Sequence, residues 1–443
     1  MTGHGGHGGP GGPGGPGGLD RPGWVPAAGG TRAVPAPDPI ARDYLLLGLR
    51  LDQHIPGVVD GYFGPADLKA RVDMEQLRSP ARLREDALAL RARLHAEVND
   101  GDRRAWLDAQ LVALETQAAV LAGDGLPYVE HVRRCFDYAP PRRPDTEFEA
   151  AAAQLDALLP GKGSLEDRLA AWDAQFEIPL DRLPSVLDWL VGRYRARAAA
   201  LFGLPEREDL RVSLVTDQPW SGYNWYDGGR KSRVAINTDL PVRANELLST
   251  VAHETYPGHH LEHAQKEADL VDAAGRLEAS MLLINTPECL ISEGLADLGV
   301  RFAVPPEEHS RLLMELYERA GLPIAADPMA AQDTAERTVV LADARHALSA
   351  IRGNAALMLH ADGRSSEEVA AYLRDVGRFS PAMIAKRLEF IQHPLWRTYV
   401  FVYAEGEALL ERWLAAVPEA ERIARFGRLL HEQLTPAAVA ASG

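Results

Sequence analysis

From Pro39 to about Gly203, apolar side chains recur at helical spacing in segment after segment, among them ARLREDALALRARLHAEV, RRAWLDAQLVALETQAAVLA and PSVLDWLVGRYRARAAALF. A period near 3.6 gathers such residues on one stripe of a helix, whereas a strand scatters them over both faces. The spacing therefore predicts a helical region over residues 38–205. Ser164 to Asp167, and Ser365 with Glu368, have the capping-box form that starts a helix, and the proline-rich break from Tyr138 to Asp145 separates two helices.

Between 209 and 241 the pattern changes. In DLRVSLVTDQPWSGYNWYDGGRKSRVAINTDLP, β-branched and aromatic residues lie between Pro-Trp-Ser-Gly and Asp-Gly-Gly turn signals, which reads as a small antiparallel meander. Helical spacing returns from about Val242 and runs on through a long stretch from Ala330 to Ala361 to the last segments. The expectation is a mainly α, multi-helical fold with one small antiparallel β-meander beside the helix that begins near Val242. Residues 206–443 then comprise the meander (209–241), two or more site helices (242–303) and C-terminal helices, packed with 38–205 as one unit. Residues 1–37, rich in Gly, Pro and His, read as a disordered tail whose His4 and His7 reflect composition rather than a metal site.

Charge and cysteine content exclude several functions. Lys plus Arg number 47 against 63 Asp plus Glu, a formal charge of −16, so nucleic-acid phosphates are repelled on average. Cys135 and Cys289 are far apart and in no redox or zinc spacing, which fits a reducing compartment and thiols used as small core residues. With no secretory signal and no apolar run able to span a bilayer, the expected location is cytoplasmic and not membrane-bound.

The chemistry concentrates in VAHETYPGHHLEH, residues 251–263. A hydrolytic zinc site needs three protein ligands, an open position and a carboxylate that takes a proton from water. His253 and Glu254 open the H-E-x-x-H pattern that supplies a ligand and a base, but Pro257 stands where the second histidine belongs. On an unbroken helix His260 faces His253 more nearly than His259 does. Pro257, however, removes a helix hydrogen bond and Gly258 permits a sharp bend, so a hinge that returns His259 toward His253 is the other solution. A third ligand is expected from Glu293 in SEGLADLG, with Glu278 and Glu288 as substitutes. Asp297, one turn on, would orient a ligand histidine, while Gly294 and Ala296 let helices approach.

Together HETYPGHH and EGLADLG resemble the bacterial domain-of-unknown-function 885 family, and PWSGYNWYDGG, RVAINTDLP and YAEGE extend the likeness over about residues 40–415. That family is grouped with the gluzincin metallopeptidases. The resemblance implies a zincin-like fold, one zinc ion held by His253, His259 and Glu293, and Glu254 as base. The substrate expected is a peptide or small amide, whose extended backbone a sheet edge beside the metal can hold. Tyr403 and His260 are candidate donors to the oxyanion, and His263 is a candidate for the surroundings of the ligands. Trp220, Tyr223, Trp225 and Tyr226 are either cleft or packing residues. Among Arg345, Arg352, Arg374, Arg378 and Arg387 there is room for a carboxylate clamp, although most of the chain's arginines are solvated. A non-catalytic site closed by His253, His259, His263 and Glu293 is the alternative. A di-iron bundle is disfavoured, because paired Glu-x-x-His motifs are missing.

Overall fold

The computed structural model describes residues 37–218 and 220–443, so nearly all of the tail read at 1–37 lies outside the described residues. Eight α-helices run between Pro39 and Phe202, as the apolar spacing predicts. Side-chain caps start several of them: Asp38, Ser79, Asp100 and Ser164 each accept a first-turn N–H. Ser365 and Glu368 form a complete capping box, whereas Ser164 donates its hydroxyl to Asp167 and only half of that box is made. The stretch from Ala330 to Ala361 is two helices, Pro328–Ser349 and Ile351–His360, that meet at Ala350.

The strands depart from the expectation in two respects. β1 (Val59–Tyr62) pairs antiparallel with β5 (Met281–Leu283), a small sheet that alternation could not signal in three or four residues. β2 (Asp209–Val215), β3 (Gly222–Gly228) and β4 (Lys231–Asn237) form the second sheet in the order β2-β4-β3. β3 and β4 are an antiparallel hairpin, with Gly228 and Gly229 at positive φ in its turn. β2, however, lies parallel to β4, so the sheet is mixed rather than an antiparallel meander. The loop after β2 carries the chain across to the far edge, and β4 fills the gap in register from Asp209↔Lys231 to Val215↔Asn237.

One apolar core runs from Ile40 to Val439 and joins the N-terminal helices to those that follow the sheet. The helices Pro287–Ala303 and Val402–Ala415 cross in close contact. A Cβ on Gly294 would sit 2.4 Å from the Gly406 carbonyl carbon, and one on Gly406 would sit 2.4 Å from the Leu290 oxygen. Only glycine at both positions lets these backbones touch. Glu293 and Asp297 flank this contact, which fixes where their side chains start.

Candidate metal centre

The helix Ala244–Glu254 buries Leu247, Leu248, Val251 and Ala252, and carries His253 and Glu254 in its last turn. It cannot continue, because proline has no N–H to donate. The Tyr256–Pro257 peptide is cis, and Gly258 N–H bonds back to the Ala252 carbonyl at 3.1 Å. A Cβ at Gly258 would lie 1.9 Å from the His253 carbonyl oxygen, so the turn closes only on glycine. A new helix starts at once, His259–Lys266, and presents His259 beside His253 with ring centroids 4.7 Å apart and planes nearly perpendicular. The hinge solution is the observed one.

Ligand atoms of His253, His259 and Glu293 all lie within 4.8 Å of one another. His253 Nε2 is 3.5 Å from Glu293 Oε2, and His259 Nε2 is 3.8 Å from Glu293 Oε1. Ligands about 2.0–2.2 Å from a tetrahedral zinc stand roughly 3.4 Å apart, close to this spacing. His253 Nε2 and Glu293 Oε2 are buried without a hydrogen-bond partner, which a native interior rarely tolerates unless something else binds there. The trio fits a small cation. Behind it, Asp297 Oδ1 lies 2.9 Å from His253 Nδ1, as the i, i+4 placement with Glu293 suggested. This leaves Nε2 as the free ligand atom.

Burial sets the electrostatics. It opposes charge on His253, but the hydrogen bond and charge of Asp297, with Glu254 and Glu293, outweigh it and lift the imidazole to about 10. Glu254 and Glu293 are both pushed above the carboxylate range by burial, which the two imidazoles only partly offset. His259 is steadied from behind: Ser292 Oγ lies 3.3 Å from its Nδ1 and donates to Glu262 at 2.5 Å. Lys266 in turn donates to Glu262 and Glu288 at 2.8 and 3.2 Å.

Several candidates fall elsewhere. His260 is fully buried and turned away: its Nδ1 meets Ser232 Oγ at 2.8 Å and its Nε2 meets Glu208 at 3.1 Å. It is neither ligand nor oxyanion donor, because both ring nitrogens are occupied on the sheet side. Glu278 is closed by Arg103, and Glu288 lines the cavity but is held by Lys266. His263 stacks on His259 at 5.7 Å and groups with Glu262 rather than with Glu293. Gly294 serves the crossing with Val402–Ala415, while Gly299 is the residue that packs against Pro257.

Glu254, His259 and Glu293 line a cavity of about 90 Å³. Tyr223, Asn224 and Tyr226 of β3 line it, so part of the aromatic cluster belongs to the cleft; Trp220 and Trp225 pack on Tyr223 instead. Tyr399 was not singled out in the sequence. It lines the cavity and donates to Glu293 Oε1 at 2.8 Å, whereas Tyr403, one turn later, packs behind it with ring centroids 5.6 Å apart. Asp60 of β1 also reaches the wall and accepts from Tyr223. The position of Tyr399 four residues before Tyr403 is the only signal that could have drawn attention to it.

No protein-family model matches the chain, and no curated protein does. Among solved structures the chain is similar to one titled "putative lipoprotein from Colwellia psychrerythraea", at 14% identity over 82% of this chain and 69% of that one, with a TM-score of 0.47. A likeness that distant carries no argument about chemistry. Among the described residues, no helix is long and apolar enough to cross a membrane.

Proposed function

We propose that this chain is a zinc-dependent hydrolase of gluzincin-like type that cleaves peptides or small amides. The observation that carries the reading is the convergence of His253, His259 and Glu293 next to Glu254, with two of their polar atoms buried and unpartnered. These three residues would hold the ion, which supplies Lewis acidity toward a carbonyl oxygen when bound. Glu254 takes a proton from the attacking water and returns it to the leaving amine. Burial holds its carboxyl above the ordinary range, as suits a group that must both accept and give up a proton. Asp297 keeps the His253 proton on Nδ1, and Tyr399 steadies Glu293 while presenting a hydroxyl to the cavity.

The non-catalytic alternative needs a fourth side chain on the same ion, and the grouping of His263 with Glu262 supports the hydrolase instead. A cytoplasmic location is in keeping with Cys135 and Cys289, both buried and unpaired. The test is metal analysis of the purified protein combined with hydrolysis of a peptide library. Stoichiometric zinc, with turnover lost in Glu254→Gln while the zinc stays, is the expected result. Protein without zinc, or a Glu254→Gln variant that still hydrolyses, sinks the reading.

A further inference from the structure

The half-buried guanidinium of Arg387 lies beside an apolar cavity with no residue of the metal trio in its wall. Arg387, on the helix Pro381–Gln392, stacks over the Phe379 ring at 4.0 Å, and its Nε is buried without a hydrogen-bond partner. Arg352 lies on the helix Ile351–His360, which packs against that helix, and its Nε donates to the Ser349 carbonyl at 3.2 Å. Among the described residues, Arg387 has no carboxylate within 4.0 Å, whereas Arg352 feels the charge of Asp297. Burial, and then the charge of Arg352, depress Arg387 to about 9. A guanidinium partly withdrawn from water without a counter-charge is unfavourable unless an anion joins it.

A cavity of about 100 Å³ opens beside Arg387, walled by Leu155, Leu169, Leu348, Phe379 and Met383. Two further arginines on this wall are already engaged: Arg345 holds Asp173 at 2.7 Å, and Arg378 faces Asp156 at 3.4 Å. Glu166 also reaches the wall without a cation within 4.0 Å, and it does not come that close to Arg387. The wall is mainly apolar, and of its three arginines Arg387 is the one that holds no carboxylate of the described residues.

We infer that this cavity binds an organic carboxylate on an apolar body, its carboxylate taken by Arg387 and its body by the leucines, Phe379 and Met383. A guanidinium pairs with a carboxylate through two parallel N–H bonds, and a dry apolar wall strengthens that pairing. A short acyl chain and the C-terminal residue of a peptide both have this chemistry. The site is separate from the metal trio and stands whether or not the chain is a hydrolase.

Calorimetric titration of the full chain tests it, with octanoate and N-acetylleucine as probes and octanamide and N-acetylleucinamide as their uncharged counterparts. At least one acid should bind about tenfold or more tightly than its amide, and Arg387→Met should weaken it by about the same factor. Arg387→Lys should retain part of the affinity. Preference for octanoate assigns the site to acyl chains, and preference for N-acetylleucine assigns it to peptide termini. Thermal unfolding provides a second readout: ligand-free Arg387→Met should melt no lower than the parent, and the preferred acid should raise the parent's Tm but not the variant's. Absence of binding by both acids, equal binding of acid and amide, or undiminished affinity in Arg387→Met overturns the inference. A markedly lower Tm for that variant also overturns it, since the guanidinium would then be structural.

Discussion

Glu278 and Glu293 are both buried carboxylates, and they differ in what completes them. Glu278 receives two bonds from Arg103, at 2.6 and 2.8 Å, and the same guanidinium reaches Asp38. Its charge is answered within the chain. Glu293 receives one hydroxyl, from Tyr399, and its second oxygen faces His253 Nε2 at 3.5 Å without hydrogen-bonding to it. Arg387 is the mirror case, a half-buried cation whose Nε is buried without a partner. Burial alone therefore does not separate structural from functional charge; whether the chain supplies the counter-charge does.

The sharpest way to break this comparison is at the open site. Glu254→Gln should lower turnover on a peptide substrate by about 10²–10⁴ while zinc, read by elemental analysis, stays bound. In the same assay His259→Ala should lose the metal and His260→Ala should keep it. At the closed site, Arg103→Met leaves Glu278 buried without its cation and should cost about 3–5 kcal/mol in urea unfolding, with part of the loss recovered in the Arg103→Met, Glu278→Gln double variant. A single variant that unfolds no more easily would show that Glu278, too, was open. Asp297→Asn acts one step back from the ion, and a chelator competition should register about a 10–100-fold weaker zinc affinity with little change in fold. Gly294→Ala tests the scaffold that sets Glu293 in place. Overpacking against Gly406 should destabilise by about 1–3 kcal/mol in chemical denaturation, and zinc affinity should fall if the crossing positions the ligand.

Much of this arrangement can be read from the residues, and the parts that cannot have physical reasons. Helical spacing and caps place the long elements, because an apolar stripe and a cap are local properties. Pro257 and Gly258 announce a hinge for the same reason. The partner of a strand is not local: alternation in DLRVSLV fixes which face is buried and says nothing of direction, so β2 read as antiparallel and lies parallel to β4. Gly294 announced a close approach without naming the helix that makes it, which is Val402–Ala415. Tyr399 and Tyr403 share a stripe at four-residue spacing, and only packing decides which of them reaches the cavity. The choice between His259 and His260 is of the same kind, since adjacent residues leave a helix in directions 100° apart and the turn before them sets which one faces His253.

That turn has a consequence for finding related chains. His253 and His259 stand six positions apart in the chain, yet their rings are neighbours because the backbone folds back through Gly258. A search that demands two histidines one helical turn apart passes over every protein built in this way. The transferable signature is a His-Glu at a helix end, a glycine with no room for a side chain, and a histidine directly after it.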